Sequence, residues 1–463
     1  MSRSRRNFLQ SAFLAGSAGL VGCAAPVGSK RSYLTGIYPS NVIPEADAFV
    51  TDVMFQAVRD MAIGPPLAAR AYAIGHLAGF LAVNGFCRSY VSPYPEVGAA
   101  PRGACPSAAY VSAALRAAGE ALQMPMGLDR DRYLKQLPGS GDSIRRGKLY
   151  GTEVGKIVQK RRTIDGGHAE RVGFYFDPAY EPRKAINSWS LTGPFYKTEI
   201  GPRFETFERG LFPNLGNMEP FAIRSKTQFS AEPFPDIRSR EFADQYEEVH
   251  CLGRYDSRSR TDDQTEIAFF WEDGPRGGTV PGAWLHIGLR LALENPRFDL
   301  LQRARFLALM SVAMGDAALS AWHSKYHHDI FRPETAIRLG GEKLGNPDPR
   351  VKRDPGFKTL IPTPPFPAYV SGHSAFSGSA AEVLKLWFGT DHVPFDVKAI
   401  DLVNWPKQLN GAVRRYSNFT TAADENGMSR IYGGVHWQHD NQEGLRMGRA
   451  IGKEVFSCFL PHV

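Results

Sequence analysis

Three short cationic segments carry most of the chemistry this sequence could perform. The first is Lys325-Tyr-His-His-Asp-Ile-Phe-Arg332-Pro333, with its two cations seven residues apart. On a helix that spacing is about two turns, so both cations point from one face. Pro333 disfavours helical geometry at the residue before it, so the helix is expected to end at Arg332 and release the guanidinium into a cleft. The second segment, Pro364-Pro-Phe-Pro-Ala-Tyr-Val-Ser371-Gly372-His373, passes directly into the helix-favouring run Ser374 to Trp387. A loop-to-helix junction presents backbone N–H groups that lack internal partners and suit an anion. The third is Ser429-Arg430-Ile-Tyr-Gly-Gly-Val-His436-Trp-Gln-His-Asp440. His436 and Asp440 are spaced i, i+4, so on one helix the carboxylate would orient the imidazole. Gly433-Gly434 would break the path so that Arg430 and His436 both face inward.

One lysine, two arginines, a serine hydroxyl, glycine N–H groups and two histidines describe a cage for a compact tetrahedral or five-coordinate oxyanion. In order and internal spacing the three segments resemble the vanadium-dependent haloperoxidases. That family lies within the superfamily of acid phosphatases and type 2 phosphatidic acid phosphatases. Thr363-Pro-Pro-Phe-Pro-Ala-Tyr, Asp263-Gln-Thr and Phe270-Trp-Glu-Asp-Gly-Pro275 resemble the soluble bacterial members in particular. One departure is Val370, where many members have proline before Ser-Gly-His.

The resemblance covers the chain from about Ala46 to its end and implies a role for each cage residue. His436 is the axial ligand of the vanadium in vanadate, with Asp440 orienting its ring. Lys325, Arg332, Arg430, Ser371 and the Gly372 N–H hold the equatorial oxygens, and His373 is the acid–base group. The implied substrates are hydrogen peroxide and a halide, with Lys325 polarising the bound oxidant. The implied product is a hypohalous-acid equivalent, made without haem at a metal that stays pentavalent. Asp273 is implied to pair with Arg430, and Phe366 and Trp322 to wall the halide side. The same cage also describes an exported acid phosphatase cleaving phosphate esters. There His436 attacks phosphorus, His373 protonates the leaving alcohol and phosphate takes the place of vanadate. The cage residues alone do not separate these two readings. A third is an oxyanion-binding lipoprotein without catalysis, against which stands the presence of both His373 and His436.

The rest of the chain has to position these residues. Residues 1–22 hold Ser4-Arg5-Arg6-Asn7-Phe8-Leu9 and an apolar, small-residue run, the pattern of a twin-arginine export signal. The run ends in Leu20-Val21-Gly22-Cys23, which resembles a lipoprotein cleavage box. Cys23 would then be the lipidated N-terminus of a tethered periplasmic protein, at the outer membrane of a two-membrane cell; cleavage near Ala24 would give a soluble secreted one. Residues 23–45 read as a linker and 46–463 as one helical domain with the oxyanion site at 325–440. The fold expected is all-α, two fused four-helix bundles with the cage in one of them.

Helices are expected over Ala46–Ala62, Pro66–Asn84, Pro106–Leu122, Ser143–Arg162, Leu300–His323 and Val435–Phe456. Residues 166–260 should form long irregular surface segments. No internal repeat and no run apolar enough for a membrane span is evident. Formal charge is +8, or +5 without Arg3, Arg5 and Arg6, with no basic stripe of the kind that binds nucleic acid. Cys87 with Cys105 is the nearest candidate disulfide, with buried free thiols as the alternative. His76 reads as a core histidine, Asp316 as a polar group in helix packing, and His323, His327, His328 and His439 as groups beside the motifs rather than a metal cluster. The oligomeric state is not readable.

Overall fold

The structure is a computed structural model and describes residues 43–166, 180–192, 210–274, 277–399 and 411–463. The export signal over 1–22, Cys23 and all of the linker except Ile43–Glu45 lie outside these residues. The helices are α1 (Ala46–Asp60), α2 (Pro65–Asn84), α3 (Pro106–Ala121), α4 (Gly127–Leu134), α5 (Gly141–Thr163), α6 (Arg240–Leu252), α7 (Asp262–Phe270), α8 (Thr279–Leu293), α9 (Leu300–His328), α10 (Pro333–Leu339), α11 (Gly341–Leu344), α12 (Gly372–Phe388), α13 (Phe419–Tyr432) and α14 (Gln438–Cys458). Among the described residues a single antiparallel ribbon, β1 (Phe395–Lys398) with β2 (Val413–Tyr416), interrupts an otherwise all-α fold.

Helix α9 belongs to both bundles. It packs on α2, which with α3 and α5 forms the N-terminal bundle, and on α12 and α14, which with α13 form the C-terminal one. Its start is fixed by a capping box in which Asp299 accepts from Gln302 N at 2.8 Å and Gln302 answers to Asp299 N at 3.0 Å. Nearly all of its side chains from Phe306 to Trp322 are buried, as a helix wedged between two bundles requires. Asp316 in its middle accepts backbone N–H groups from Phe221, Ala222 and Ile223 at 2.7, 2.8 and 3.0 Å, fastening an irregular segment to the bundle. Among the described residues two helices, α2 and α9, are as long and apolar as a membrane span, contrary to the expectation that no run would be. Both are 94% buried over the apolar window, which accounts for their composition by core packing.

Each bundle is closed by the same device. On α14, Gly444, Gly448 and Gly452 lie against the backbone carbonyls of Ser371, Ala375 and Ser379 on α12; a Cβ at Gly444 would stand 2.7 Å from the first and one at Gly452 2.5 Å from the third. On α5, Gly147, Gly151 and Gly155 meet the carbonyls of Cys105, Ala109 and Ala113 in the same way, with 2.7 Å for the last. Three glycines four residues apart allow backbone-to-backbone packing along one helix face. This repeated contact escaped the sequence reading, because the two halves share glycine spacing and not residue text.

Other differences are local. Within the stretch read as irregular, residues 240–252 form α6, started by Ser239, whose hydroxyl accepts from Phe242 N at 3.1 Å. The connection from Gly389 onward holds the ribbon and most of α13, which carries Arg430. Cys87, Cys105, Cys251 and Cys458 are all free thiols. His76 is fully buried with Nδ1 3.0 Å from the Tyr110 hydroxyl, and burial lowers its pKa to about 3.

Candidate active site

Lys325 and Arg332 do not share a helix face. The helix ends at His328, four residues before Arg332, because Asp329 adopts a left-handed conformation (φ 51°) and caps it. The Asp329 carboxylate accepts from the Tyr180 hydroxyl at 2.8 Å and Arg183 N at 2.6 Å, holding the turn from outside the motif. Arg332 is then extended (ψ 155°) as the N-cap of α10, with Pro333 at the first helical position. Proline at that position starts the next helix instead of ending the last.

Lys325 is fully buried, and its ammonium gives its three protons to three carbonyls of the proline-rich segment: Pro367 at 3.2 Å, Ala368 at 2.9 Å and Val370 at 2.5 Å. The rings of Trp322 and Phe366 lie 5.6 and 5.2 Å from Nζ, within cation–π range. Lys325 therefore orders the loop that delivers Ser371, and contact with an oxyanion oxygen would exchange one of these bonds. Burial and then the Arg332 guanidinium press its pKa well below the usual lysine value, while Asp440 opposes them.

Arg332 donates from Nε to Phe366 O at 2.9 Å and from Nη1 to Val435 O at 2.7 Å, and Nη1 lies 3.0 Å from His436 Nε2. On the other side of that ring, Nδ1 is 2.8 Å from Asp440 Oδ2. A carboxylate accepts and a guanidinium only donates, so the imidazole is neutral, with its proton on Nδ1 and its lone pair on Nε2. Burial first, then Arg332 and Lys325, hold its pKa well below the ordinary histidine value, which agrees with that form. His436 precedes α14 instead of lying on it: Trp437 is the N-cap, and Asp440 also accepts from Trp437 N at 3.0 Å. The contact foreseen from the i, i+4 spacing is thus made by a capping carboxylate at the third helical position. Asp440→Asn is expected to lower affinity for orthovanadate about 10–100-fold through loss of ring orientation and basicity, measured by titration calorimetry.

Ser371 is the N-cap of α12, its hydroxyl accepting from Ser374 N at 3.3 Å, so Gly372 and His373 occupy the first turn, where N–H groups have no helical partner. Ser371 N donates to Asp440 O at 2.9 Å, tying the second motif to the third. His373 Nε2 lies 3.1 Å from the Glu272 carbonyl, to which it must donate, leaving the lone pair on Nδ1. Burial, then Arg430, keep this ring neutral as well.

Arg430 is flanked by two carboxylates. Glu272 exerts the larger pull on it and Asp273 the smaller, and neither makes a hydrogen bond to it. The ion pair implied for Asp273 is not made among the described residues; both acids act on Arg430 from beyond hydrogen-bond distance, and Glu272 is the one without a sequence signal. Burial raises both carboxyls; Asp273, which also feels Glu272, is pushed up to about 7. An unfolded aspartate titrates near 3.8, so between about pH 4 and pH 7 the folded state holds a proton that the unfolded state has lost. Stability is therefore expected to fall as pH rises through that window. Asp273→Asn should flatten the fall, read from urea midpoints at pH 5, 6 and 7.

Trp322 and Phe366 pack together, with ring centroids 5.2 Å apart and Arg332 5.0 Å above the Phe366 ring. A further residue without a sequence signal is Glu425, one and a half turns before Arg430. It accepts from Trp271 Nε1 at 3.0 Å, Arg414 Nε at 2.7 Å and the Tyr416 hydroxyl at 2.5 Å, locking the ribbon and the 271–274 turn onto α13. Among the described residues no group of three or more His, Cys, Asp or Glu is placed to hold a metal ion.

The donor set fits an oxyanion on one observation: Arg332 Nη2 and Arg430 Nε and Nη1 are buried donors with no hydrogen-bond partner among the described residues. Buried guanidinium protons left unmatched are costly, and an anion with several oxygens matches them.

Residues 305–463, which contain every motif, match the family model for the VCPO second helical-bundle domain. The chain is 27% identical to the vanadium chloroperoxidase of Curvularia inaequalis, over 81% of this chain and 75% of that one. Its fold is similar to the crystal structure of a bacterial vanadium-dependent iodoperoxidase, with TM-score 0.70 and 25% identity over 89% of this chain and 94% of that one. A bacterial vanadium-dependent chloroperoxidase shares the fold at TM-score 0.67 and 15% identity, over 85% of this chain and 94% of that one. With the cage assembled and the fold shared along most of its length, the chain is a relative of the vanadium-dependent haloperoxidases.

Proposed function

We propose that the chain is a vanadium-dependent haloperoxidase that oxidises halide with hydrogen peroxide to a hypohalous-acid equivalent. The observation that carries this reading is the likeness along most of the chain to vanadium chloroperoxidase and iodoperoxidase, and the neutral His436, with its Nε2 lone pair beside Arg332 and its other nitrogen held by Asp440, supplies the ligand. His436 Nε2 would ligate vanadate; Arg332, Arg430, Ser371 and the first N–H groups of α12 would hold its oxygens. Bound there, vanadate supplies Lewis-acid activation of peroxide at a metal that does not change oxidation state. His373, neutral with Nδ1 free to accept, takes a proton from the incoming peroxide and returns it to the leaving oxygen. Trp322 and Phe366 exclude water on the side where a halide would approach. Lys325 keeps the 367–370 carbonyls in place and adds positive charge behind the site.

For location, the twin-arginine signal over 1–22 and the box at Cys23 support an exported, lipid-tethered protein.

The test is a paired assay on purified protein with and without orthovanadate: peroxide-dependent halogenation of a phenol dye with iodide, bromide and chloride, against hydrolysis of p-nitrophenyl phosphate. Vanadate-dependent halogenation is expected. Ester hydrolysis inhibited by vanadate, without halogenation, would replace this reading with the phosphohistidine one.

A further inference from the structure

The outer surface of the N-terminal bundle, remote in sequence from the cage, concentrates the charge of the chain. Residues 127–164 hold ten Lys and Arg against four Asp and Glu, a surplus of six in a chain whose formal total is +8. Of the ten, Arg162 is buried against Asp165, six pair with the four acids of the same surface, and Lys135, Lys160 and Arg161 have no ion pair among the described residues.

On α5 the outward positions Arg145, Arg146, Leu149, Lys156 and Lys160, with Ile164 just beyond its end, fall within an arc of roughly 100° at 100° per residue. That arc lies opposite Gly147, Gly151 and Val158, which face the bundle. Helix α4 presents neighbouring surface, since its Asp131 bonds Lys148 of α5 at 2.8 Å. Among these cations stand Leu128, Leu149 and Ile164, which are 82%, 56% and 77% exposed. Large apolar side chains held out among cations suit an interface that is anionic at its surface and apolar beneath.

The path of the chain points to the occupant. Tyr133 of α4 donates its hydroxyl to Pro44 O at 3.0 Å, and Phe49 stacks on the same ring at 4.5 Å. The N-terminal segment therefore joins the fold on α4, at the edge of the basic face. Cys23 and Ile43 are twenty positions apart, a reach of at most about 70 Å when fully extended. A tether at Cys23 would enter the fold beside this face.

We infer that the α4–α5 face seats on an anionic phospholipid surface, with Leu128, Leu149 and Ile164 entering the headgroup region between the cations.

The test uses the full chain carrying Cys23→Ser, so that no acyl chain contributes, in co-sedimentation with vesicles of phosphatidylcholine alone or with 30% phosphatidylglycerol. Binding is expected to the anionic vesicles only and to be lost at 0.5 M salt, where screening removes attraction between exposed charges. The triple variant Lys135→Glu/Lys160→Glu/Arg161→Glu, at sites without an ion pair among the described residues, should weaken binding by about tenfold or more. Leu149→Ser, a variant that keeps every charge, should weaken it less. Equal binding to both vesicle types, unchanged binding by the triple variant with native melting, or preferential binding to duplex DNA would each overturn the inference. Solution halogenation should be unaltered in all these variants, so failure here and failure of the haloperoxidase reading are separate results.

Discussion

Replacing His436 by alanine is expected to remove vanadate-dependent halogenation by on the order of a thousandfold or more while leaving the helical fold intact. Nε2 of this residue carries a lone pair beside a guanidinium while a capping carboxylate holds Nδ1, and no other neutral nitrogen among the described cage residues is presented in that way. Arg332 keeps two of its three partners, the carbonyls of Phe366 and Val435. Asp440 keeps the Trp437 N–H and so still starts α14. Circular dichroism should therefore be unchanged, and orthovanadate should no longer bind in calorimetry. Retained halogenation would show that the metal is held elsewhere and would remove the basis of the proposed function.

The second large effect is on stability. In Gly448→Ala the new Cβ would be driven onto the carbonyl oxygen of Ala375, with Ser379 N at 2.9 Å behind it. Both obstacles are backbone, so no rotamer relieves them and α14 must move away from α12. A loss of about 2–4 kcal/mol is expected, read as a lower urea midpoint. The displaced helix carries Asp440 and the one it leaves carries Ser371, so oxyanion affinity should fall as well. Gly151→Ala places the same clash against Ala109 in the other bundle. It should destabilise to a similar degree and leave affinity intact. Equal loss of affinity in both variants would show that general softening, and not the spacing of α12 and α14, controls the site.

Cage membership was legible in the sequence because each motif keeps its partners close along the chain: Ser371 beside His373, and His436 four residues from Asp440. What was not legible came from distant partners. The end of α9 is set by Asp329, whose turn is held by Tyr180 and Arg183 from a segment almost 150 residues away. Glu272 acquires meaning only when α13 brings Arg430 beside it, and Glu425 only when the ribbon brings Arg414 and Tyr416. Helix α6 was missed because its charged, aromatic text has few of the small residues that marked the bundle helices. The glycine ladders were missed for the opposite reason: glycine is common in this chain, and only the facing carbonyls show which ones matter.

The three carbonyls around Lys325 also describe a host and its guest. Oxygens of Pro367, Ala368 and Val370 converge on one nitrogen, as the donor atoms of a crown ether converge on ammonium. A guanidinium is flat and spreads its protons in a fork, so it cannot aim three of them at such a ring from a single point. Exchange for arginine would preserve the charge and lose the inclusion fit. The loop that delivers Ser371 to the cage is therefore templated by the size and shape of one cation, and its sign alone would not suffice.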